Sequence, residues 1–258
     1  MGLLDKLMKK KGPTADEVSK GGSPIYHYDE KKEEGWRAPQ AYGVYAEEIS
    51  RHFQELFPDR EEFVFHEILS DLVHIDVNIR RPTEERPYYV MYTTGMSDLP
   101  MTLPEEIEDR EDLKYAELFM FLPKEWNPGE TGQLNSDIPD SEYWPIRLIK
   151  YLARFPHEYS TWLGWGHTIP NGAGYEPICE DSEMGGVVLV QTGGGMGSMK
   201  AGDGKEINFY MVVPAYKEEI EFKLEYGMNE LDKRFSEGNL PMILDIHRPN
   251  YCEDYRPE

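Results

Sequence analysis

The stretch LVHIDVNIRRPTEERPYYVMYTT, residues 72–94, carries the pattern on which the predicted fold depends. In its first part Val73, Ile75, Val77 and Ile79 alternate with polar residues, which is the two-residue period of a strand with one buried face. A turn segment containing two prolines then leads into YYVMYTT, a run of aromatic and β-branched residues typical of a second strand. The stretch therefore predicts a β-hairpin.

Apolar patterns farther along the chain predict more strands and the helices. The strands are the runs AELFMFLP (116–123), GVVLVQT (186–192) and INFYMVV (207–213). Helical spacing of apolar residues predicts helices over 44–57, 144–155 and 215–235, the last as one long closing helix. Because the strands are grouped and few helices interrupt them, we predict the α+β class, a mixed and mostly antiparallel sheet with helices packed against it.

The N-terminal part of the chain is predicted to be a flexible arm and linker, residues 1–40, followed by one folded domain over residues 41–258. Residues 12–40 are rich in Gly, Pro, Lys and Glu and show little periodicity. The first segment, MGLLDKLMKKKG, has the pattern of a weak amphipathic membrane-surface element, but a solvated arm is the favoured interpretation. No apolar run approaches the roughly 18 residues of a membrane span, so none is expected.

Charge is the strongest bulk property of the sequence. The chain has 49 acidic and 27 basic residues, a net charge of -22, and a pI near 4.7. Such a field repels phosphate backbones, so direct binding of nucleic acid is not expected. It attracts basic proteins, although high negative charge by itself more often serves solubility.

The two cysteines, Cys179 and Cys252, allow neither a disulfide framework nor a cysteine-rich zinc site. This usage fits a reducing compartment, and we expect the protein in the cytoplasm. The glycine-rich run QTGGGMGSM fails the dinucleotide pattern, because Ser198 stands where the third glycine is needed, and no G-K-[ST] follows. We therefore expect no nucleotide and no other cofactor.

Two pairs of histidine and aspartate share the same spacing. His74 with Asp76 and Asp245 with His247, joined by His167 from the segment GWGHT, would make a metal site or an acid/base cluster if their strands were neighbours. Polar residues on the outer face of a one-sided sheet explain both pairs without function, and this interpretation is favoured. A metal-dependent enzyme remains the alternative hypothesis.

Several longer blocks resemble the suppressor of fused (SUFU) domain family. They are HIDVNIRRPTEERPYYVMYTTGMSDLPM, YAELFMFLP and YWPIRLIKYLARFPHEYSTWLGWGHTIP, in the order and spacing of that family, with GVVLVQT and LDIHRP where the domain closes. The resemblance covers roughly residues 40 to 250. The T-G-M-S-D block and the W-P…L-A-R-F…G-H block are specific in combination.

The resemblance implies a mixed α/β domain that binds other proteins and has no established catalytic chemistry. Animal members clamp an extended peptide of a transcription factor between this lobe and a second lobe that the present chain does not include. Bacterial members of one-lobe size are often associated with toxin systems and look like immunity proteins. We therefore expect a non-enzymatic protein-binding domain, an immunity or regulatory protein whose partner is a basic toxin or an extended peptide.

In the resembling family the T-G-M-S-D segment lies in the region associated with peptide binding. The predicted protein-binding residues are Tyr92, Gly95, Met96, Ser97, Asp98, Met101 and His167. Gly95 permits close backbone approach, Met96 and Met101 offer adaptable apolar contact, and Asp98 can accept a hydrogen bond. The alternative is structural, with Met96 in the core, Gly95 in a bulge and Asp98 as a turn or helix cap, and the sequence leaves both open.

Overall fold

The protein is described from a computed structural model that covers residues 12–28, 35–67, 70–129 and 138–256. The strands are β1 Glu17–Val18, β2 Pro24–Ile25, β3 Glu62–Phe65, β4 Asp76–Arg80, β5 Tyr88–Thr94, β6 Ala116–Pro123, β7 Thr168–Pro170, β8 Gly186–Gln191, β9 Ser198–Lys200 and β10 Glu206–Ala215. The helices are α1 Ala46–Leu56, α2 Asp140–Glu158, α3 Lys217–Tyr226 and α4 Met228–Glu237. The predicted α+β class is confirmed.

One large mixed sheet organises the fold. Its strands follow the order β3-β4-β5-β6-β10-β8-β7, and β9 pairs with the start of β10. All neighbours are antiparallel except β6 and β10, which run parallel. The predicted hairpin is β4–β5, with Ile79 opposite Met91 and Asp76 opposite Thr94. Strands β1 and β2 form a separate two-stranded ladder.

Both faces of the sheet are covered, so the core has two sides. On one face α2 packs Ile146, Ile149 and Leu152 against the inward residues of β4, β5 and β6. On the other, α1 packs on the centre of the sheet and α3 with α4 on its β8–β10 part. The prediction of one buried face for residues 72–79 was therefore wrong, because the second face is covered too and Asn78 is buried on it.

The predicted closing helix is two helices. Gly227 separates α3 from α4 and has φ 89° and ψ 164°. This conformation is open only to glycine, and it ends the hydrogen-bond ladder of α3. Helical periodicity continues across the break because both helices pack on the same apolar cluster, so the pattern alone did not reveal it.

The described part of the N-terminal region contacts the domain. The Gly21 amide donates to the Leu224 carbonyl over 2.8 Å, and the Tyr28 hydroxyl donates to Thr161 Oγ1 over 2.6 Å. The division of the chain at residue 40 stays a prediction, and the Lys-rich start, residues 1–11, lies outside the described residues. Within the described ranges, no helix has the length and apolar character to cross a membrane.

Candidate functional site

The segment that follows β5 makes an abrupt turn at Gly95. Its φ is 107°, and a Cβ at this position would lie 1.9 Å from the carbonyl oxygen of His74. Only glycine fits, because both the backbone conformation and the space exclude a side chain. A single 3₁₀ turn, Met96–Asp98, follows directly.

A buried carboxylate on β6 holds this turn. Glu117 is fully buried, and its Oε1 accepts hydrogen bonds from the amides of Gly95 and Ser97, each 3.0 Å long, and from Ser97 Oγ over 2.6 Å. Its Oε2 accepts a bond of 2.6 Å from Thr93 Oγ1. Burial raises the pKa of Glu117 to about 7 although the donors from Ser97 and Thr93 oppose the shift. Glu117 therefore ties the turn to the centre of the sheet.

Asp98 connects the same turn to helix α1. Its Oδ2 accepts a bond of 2.6 Å from the Gly43 amide and its Oδ1 one of 2.9 Å from the Val44 amide, just before the helix begins. Burial raises the pKa of Asp98, and the backbone amides of residues 43–45 oppose that shift. A carboxylate near the first turn of a helix satisfies free amides and complements the helix dipole. Asp98 thus fixes, from another part of the chain, the segment that leads into α1.

The other predicted residues of this region also point into the protein. Met96 is fully buried, and its carbonyl oxygen lies 2.8 Å from His157 Nε2 on α2. Met101 Sδ accepts a bond of 3.3 Å from the Leu163 amide. The Tyr92 ring stacks on Phe53 at 4.0 Å, and its hydroxyl donates to Glu62. Direct contact of these buried side chains with a partner stays a prediction, and it would require the turn to open.

His167 lies apart from that turn, in the loop between α2 and β7. Its ring is 4.4 Å from the Trp162 ring. Desolvation, followed by the charge of Lys223, lowers the pKa of His167 to about 4, so it is neutral at physiological pH. Lys223 is itself buried, and desolvation lowers its pKa to about 8.

The structure does not bring the two His/Asp pairs and His167 together. His74 Nε2 lies 2.9 Å from Asp76 Oδ1, whereas Asp245 Oδ1 accepts the amide of His247 within the C-terminal segment. Throughout the described part of the chain, no group of three or more His, Cys, Asp or Glu side chains is arranged to hold a metal ion. His74 instead organises its own loop, where its Nδ1 is 2.5 Å from Ser70 Oγ and its ring lies 4.2 Å from that of Tyr42.

An exposed apolar patch lies beside this turn. We call Trp36, Tyr42 and Val44 the aromatic patch; they are 72%, 68% and 52% exposed. Trp36 Nε1 donates to the Ser70 carbonyl over 2.7 Å, the Tyr42 ring packs against His74 at a tilt of 43°, and the Val44 amide donates to Asp98. The buried turn and its neighbour His74 therefore fix the position of exposed apolar side chains.

The sequence model of the suppressor of fused protein family matches residues 71–249 of this chain. The chain belongs to the suppressor of fused family. Suppressor of fused is a protein-binding regulator, and the family is non-enzymatic. The search of curated proteins found no match.

Three solved structures show the same fold. A suppressor of fused homologue from Neisseria gonorrhoeae is 18% identical with a TM-score of 0.58, and the alignment covers 80% of this chain and 96% of that one. A chain of the Sufu-Fu complex is 16% identical with a TM-score of 0.57, covering 84% and 95%. Drosophila Suppressor of Fused is 15% identical with a TM-score of 0.54, and 84% of this chain aligns with only 53% of that longer chain.

Glu117 was missed by the sequence-based reasoning. It stands in AELFMFLP as the one charged residue of an apolar strand run, which is the signal that marks it. A charge inside a fully buried strand is costly unless hydrogen-bond donors converge on it. Thr93 near the end of β5 and Gly95 and Ser97 in the turn that follows supply those donors.

Proposed function

We propose that this protein is a non-enzymatic binding module that recognises another polypeptide. The observation that carries this proposal is the shared domain: the family model spans residues 71–249, and a similarly folded chain is part of the Sufu-Fu complex. The described residues support it further, because the histidines proposed for a metal centre lie in separate parts of the fold.

The aromatic patch is the proposed contact surface. Exposed aromatic side chains contribute strongly to protein recognition because they bury large area at little entropic cost. Trp36 and Tyr42 are both held in place, by Ser70 and His74 respectively, so binding loses little additional side-chain freedom. In this proposal Gly95, Ser97 and Asp98 act from inside the protein by positioning the patch.

The proposed partner is a basic protein, with a secreted toxin as the specific case, or an extended peptide. A net charge of -22 accelerates encounter with a positively charged surface and disfavours acidic competitors. An immunity or regulatory protein that sequesters such a partner is the role we propose, in a bacterial cytoplasm. The two free cysteines agree with a reducing compartment.

Affinity capture of the tagged full chain from its own cells at low salt tests this proposal. We expect one polypeptide in near-stoichiometric amount with the wild type and at least tenfold less with Trp36→Ala plus Tyr42→Ala. Low salt matters because screening weakens charge-steered complexes. Gly95→Trp and Asp98→Arg are unsuitable variants, since a side chain at position 95 has no room and Asp98 holds the segment that leads into α1.

Met242→Ala is the matched control, because Met242 is a large exposed apolar residue outside the aromatic patch, at 56% exposure. Capture should be unchanged in this variant. Equal capture by the Trp36/Tyr42 double variant and the wild type would show that the aromatic patch is not the contact surface. Absence of any retained polypeptide would contradict the binding function itself.

A further inference from the structure

Residues 16–28 cross the surface of the domain as a strap, which we call the N-terminal strap. Its middle is the β1–β2 ladder, in which Glu17 pairs with Ile25 and Val18 with Pro24. The strap is polar in its first part and ends in Tyr26-His27-Tyr28, two aromatic residues at alternate positions. In an extended backbone, such residues point to the same side.

Tyr28 is anchored in a pocket at the C-terminal end of α2. Its ring centroid lies 5.2 Å from that of Phe155, in an edge-to-face arrangement, and 5.1 Å from that of Tyr159. Its hydroxyl donates to Thr161 Oγ1 over 2.6 Å. Burial of the phenol raises the pKa of Tyr28. Tyr28 is thus a half-buried aromatic anchor with one directed hydrogen bond, and aromatic anchors contribute strongly to binding interfaces.

The turn of the strap docks where α3 and α4 are separated. The Gly21 amide donates to Leu224 O over 2.8 Å, a carbonyl near the end of α3 that the break leaves without a helical donor. Lys20 forms an ion pair of 3.4 Å with Glu225. A Cβ on Gly21 would lie 2.5 Å from the Gly227 nitrogen, so the backbone approaches the break more closely than any other residue type would allow.

One buried polar group beside the strap, the indole nitrogen of Trp162, lacks a hydrogen bond of good geometry within the part of the chain that the structure describes. The Trp162 Nε1 is buried and makes no hydrogen bond of good geometry with the described residues, although the Tyr26 hydroxyl is beside it. Trp162 packs against His167, and the charge of Lys223 acts on His167. Buried donors normally have acceptors, and the one that the strap offers to Trp162 Nε1, the Tyr26 hydroxyl, does not give a hydrogen bond of good geometry.

The groove and its filler belong to different parts of the chain. Phe155, Thr161, Trp162 and Leu224 lie within residues 71–249, which match the family, whereas the strap lies before that region. A surface made by the shared domain but occupied by a separate segment is what a displaceable internal ligand looks like. Because the strap is tethered, its effective concentration is on the order of millimolar, and it competes with any external peptide.

We propose that the N-terminal strap occupies a peptide-binding groove between α2 and the α3–α4 break, and that a partner's extended segment with two aromatic residues at alternate positions displaces it. This inference rests on the proposed function and names its second contact surface. The partner segment places one aromatic ring against Phe155 and Tyr159, where Tyr28 lies, and the other beside Trp162. The partner segment should bind the groove more tightly than the strap does if it brings a hydrogen-bond acceptor to Trp162 Nε1.

The test measures binding of a fluorescent peptide of the strap sequence, PTADEVSKGGSPIYHY, to full-length chains. Tyr28→Ala in the protein removes the anchor of the tethered strap and leaves the groove intact. We expect the peptide to bind this variant at least tenfold tighter than wild type, and a peptide with both tyrosines replaced by alanine to lose that gain. Hydrogen exchange of residues 16–25 should rise in the variant while exchange in the central sheet stays unchanged.

Met242→Ala is the control, since Met242 is 56% exposed and belongs neither to the aromatic patch nor to the groove residues named above. It should bind the strap peptide like the wild type. Equal affinity of wild type and Tyr28→Ala, or equal binding of the alanine peptide, would overturn the proposal. Such a result would not bear on the proposal that the aromatic patch contacts the partner, because partner capture through Trp36 and Tyr42 is measured separately.

Discussion

At the scale of single residues, buried charges fix the geometry of this protein. Glu117 receives four hydrogen bonds, three from the turn after β5 and one from Thr93 within β5. Arg248 is 3% exposed and makes a two-pronged ion pair with the fully buried Glu219, with bonds of 2.6 and 2.7 Å. Each carboxylate also accepts backbone amides, so each joins segments distant in sequence.

Glu117→Gln should change the pH dependence of stability. The folded-state pKa of Glu117 is about 7, raised from 4.5, so the folded protein binds the proton more tightly than the unfolded chain. The stability from Glu117 is present below pH 4.5 and is lost as pH rises through 7. Relative to wild type, Glu117→Gln should therefore gain up to roughly 3 kcal/mol between pH 4.5 and 8. Urea denaturation at several pH values measures this.

Glu117→Ala is the companion variant. It leaves the amides of Gly95 and Ser97 without their acceptor, and we expect a loss of about 3 kcal/mol or more at pH 5. A parallel pH profile for Glu117→Gln and wild type would mean that Glu117 does not titrate in this range.

Arg248→Met should destabilise the protein by about 3–5 kcal/mol, because it leaves the Glu219 carboxylate buried without its cation. Adding Glu219→Gln removes that charge while its amide oxygen can still accept from Tyr216 or Tyr251. The double variant should therefore be more stable than Arg248→Met alone. Thermal unfolding compares them, and a double variant as unstable as the sum of both single changes would refute the ion-pair explanation.

At the scale of elements, the junction between α3 and α4 depends on one glycine. Gly227 ends α3, begins α4 and lies against Gly21 of the strap. The break sets the angle at which α4 packs Leu231 and Phe235 into the third apolar cluster. Element boundaries of this kind arise from backbone conformation and not from hydrophobic period.

Gly227→Ala should destabilise the protein by about 1–3 kcal/mol, because φ 89° with ψ 164° is a conformation reserved for glycine. Gly193→Ala is the matched control, since φ there is -83° and a Cβ would meet open space. Urea midpoints at constant m value report the difference. If both variants lost equal stability, the cost would come from glycine replacement in general and not from the junction.

At the scale of the whole molecule, a two-sided core carries a strongly acidic surface. Helices on both faces leave the sheet with edges at β3 and β7, and the family domain accounts for most of the covered sheet. The electric field from the net charge of -22 extends around the whole protein. Its effect on function is therefore kinetic and long-range, unlike the local contacts of the aromatic patch.

Association with the proposed basic partner should slow as salt increases. Between 0.05 and 0.5 M NaCl we expect the association rate to fall at least tenfold, with a smaller change in the dissociation rate, because screening removes steering but not contact. Stopped-flow fluorescence with the captured partner measures both rates. Trp36→Ala, by contrast, removes a local contact, so it should mainly raise the dissociation rate and leave the association rate nearly unchanged. A salt-independent association rate would exclude charge steering.

The sequence by itself determined the fold class and the β4–β5 hairpin, because alternating and helical apolar patterns are local properties. It determined the family through the resemblance of specific sequence blocks, which the family model matches over residues 71–249. For Asp98 and Met96 the sequence left two explanations open. One was a structural role, with Asp98 as a turn or helix cap and Met96 in the core, and the other was a binding surface. The helical apolar pattern did not reveal the break at Gly227, and the alternating pattern of residues 72–79 did not reveal that the second sheet face is covered.

Only the tertiary structure showed that Asp98 and Met96 are buried and that the second sheet face is covered, because both depend on contacts between residues far apart in the chain. Whether these two residues also contact a partner stays a prediction. Asp98 meets Gly43, Glu117 meets Gly95, and Tyr28 meets Thr161 only once the sheet has assembled. The same long-range packing separated His167 and the two His/Asp pairs, whose matching spacing had suggested one site. Spacing along a strand fixes which face a residue occupies, whereas strand order fixes its neighbours.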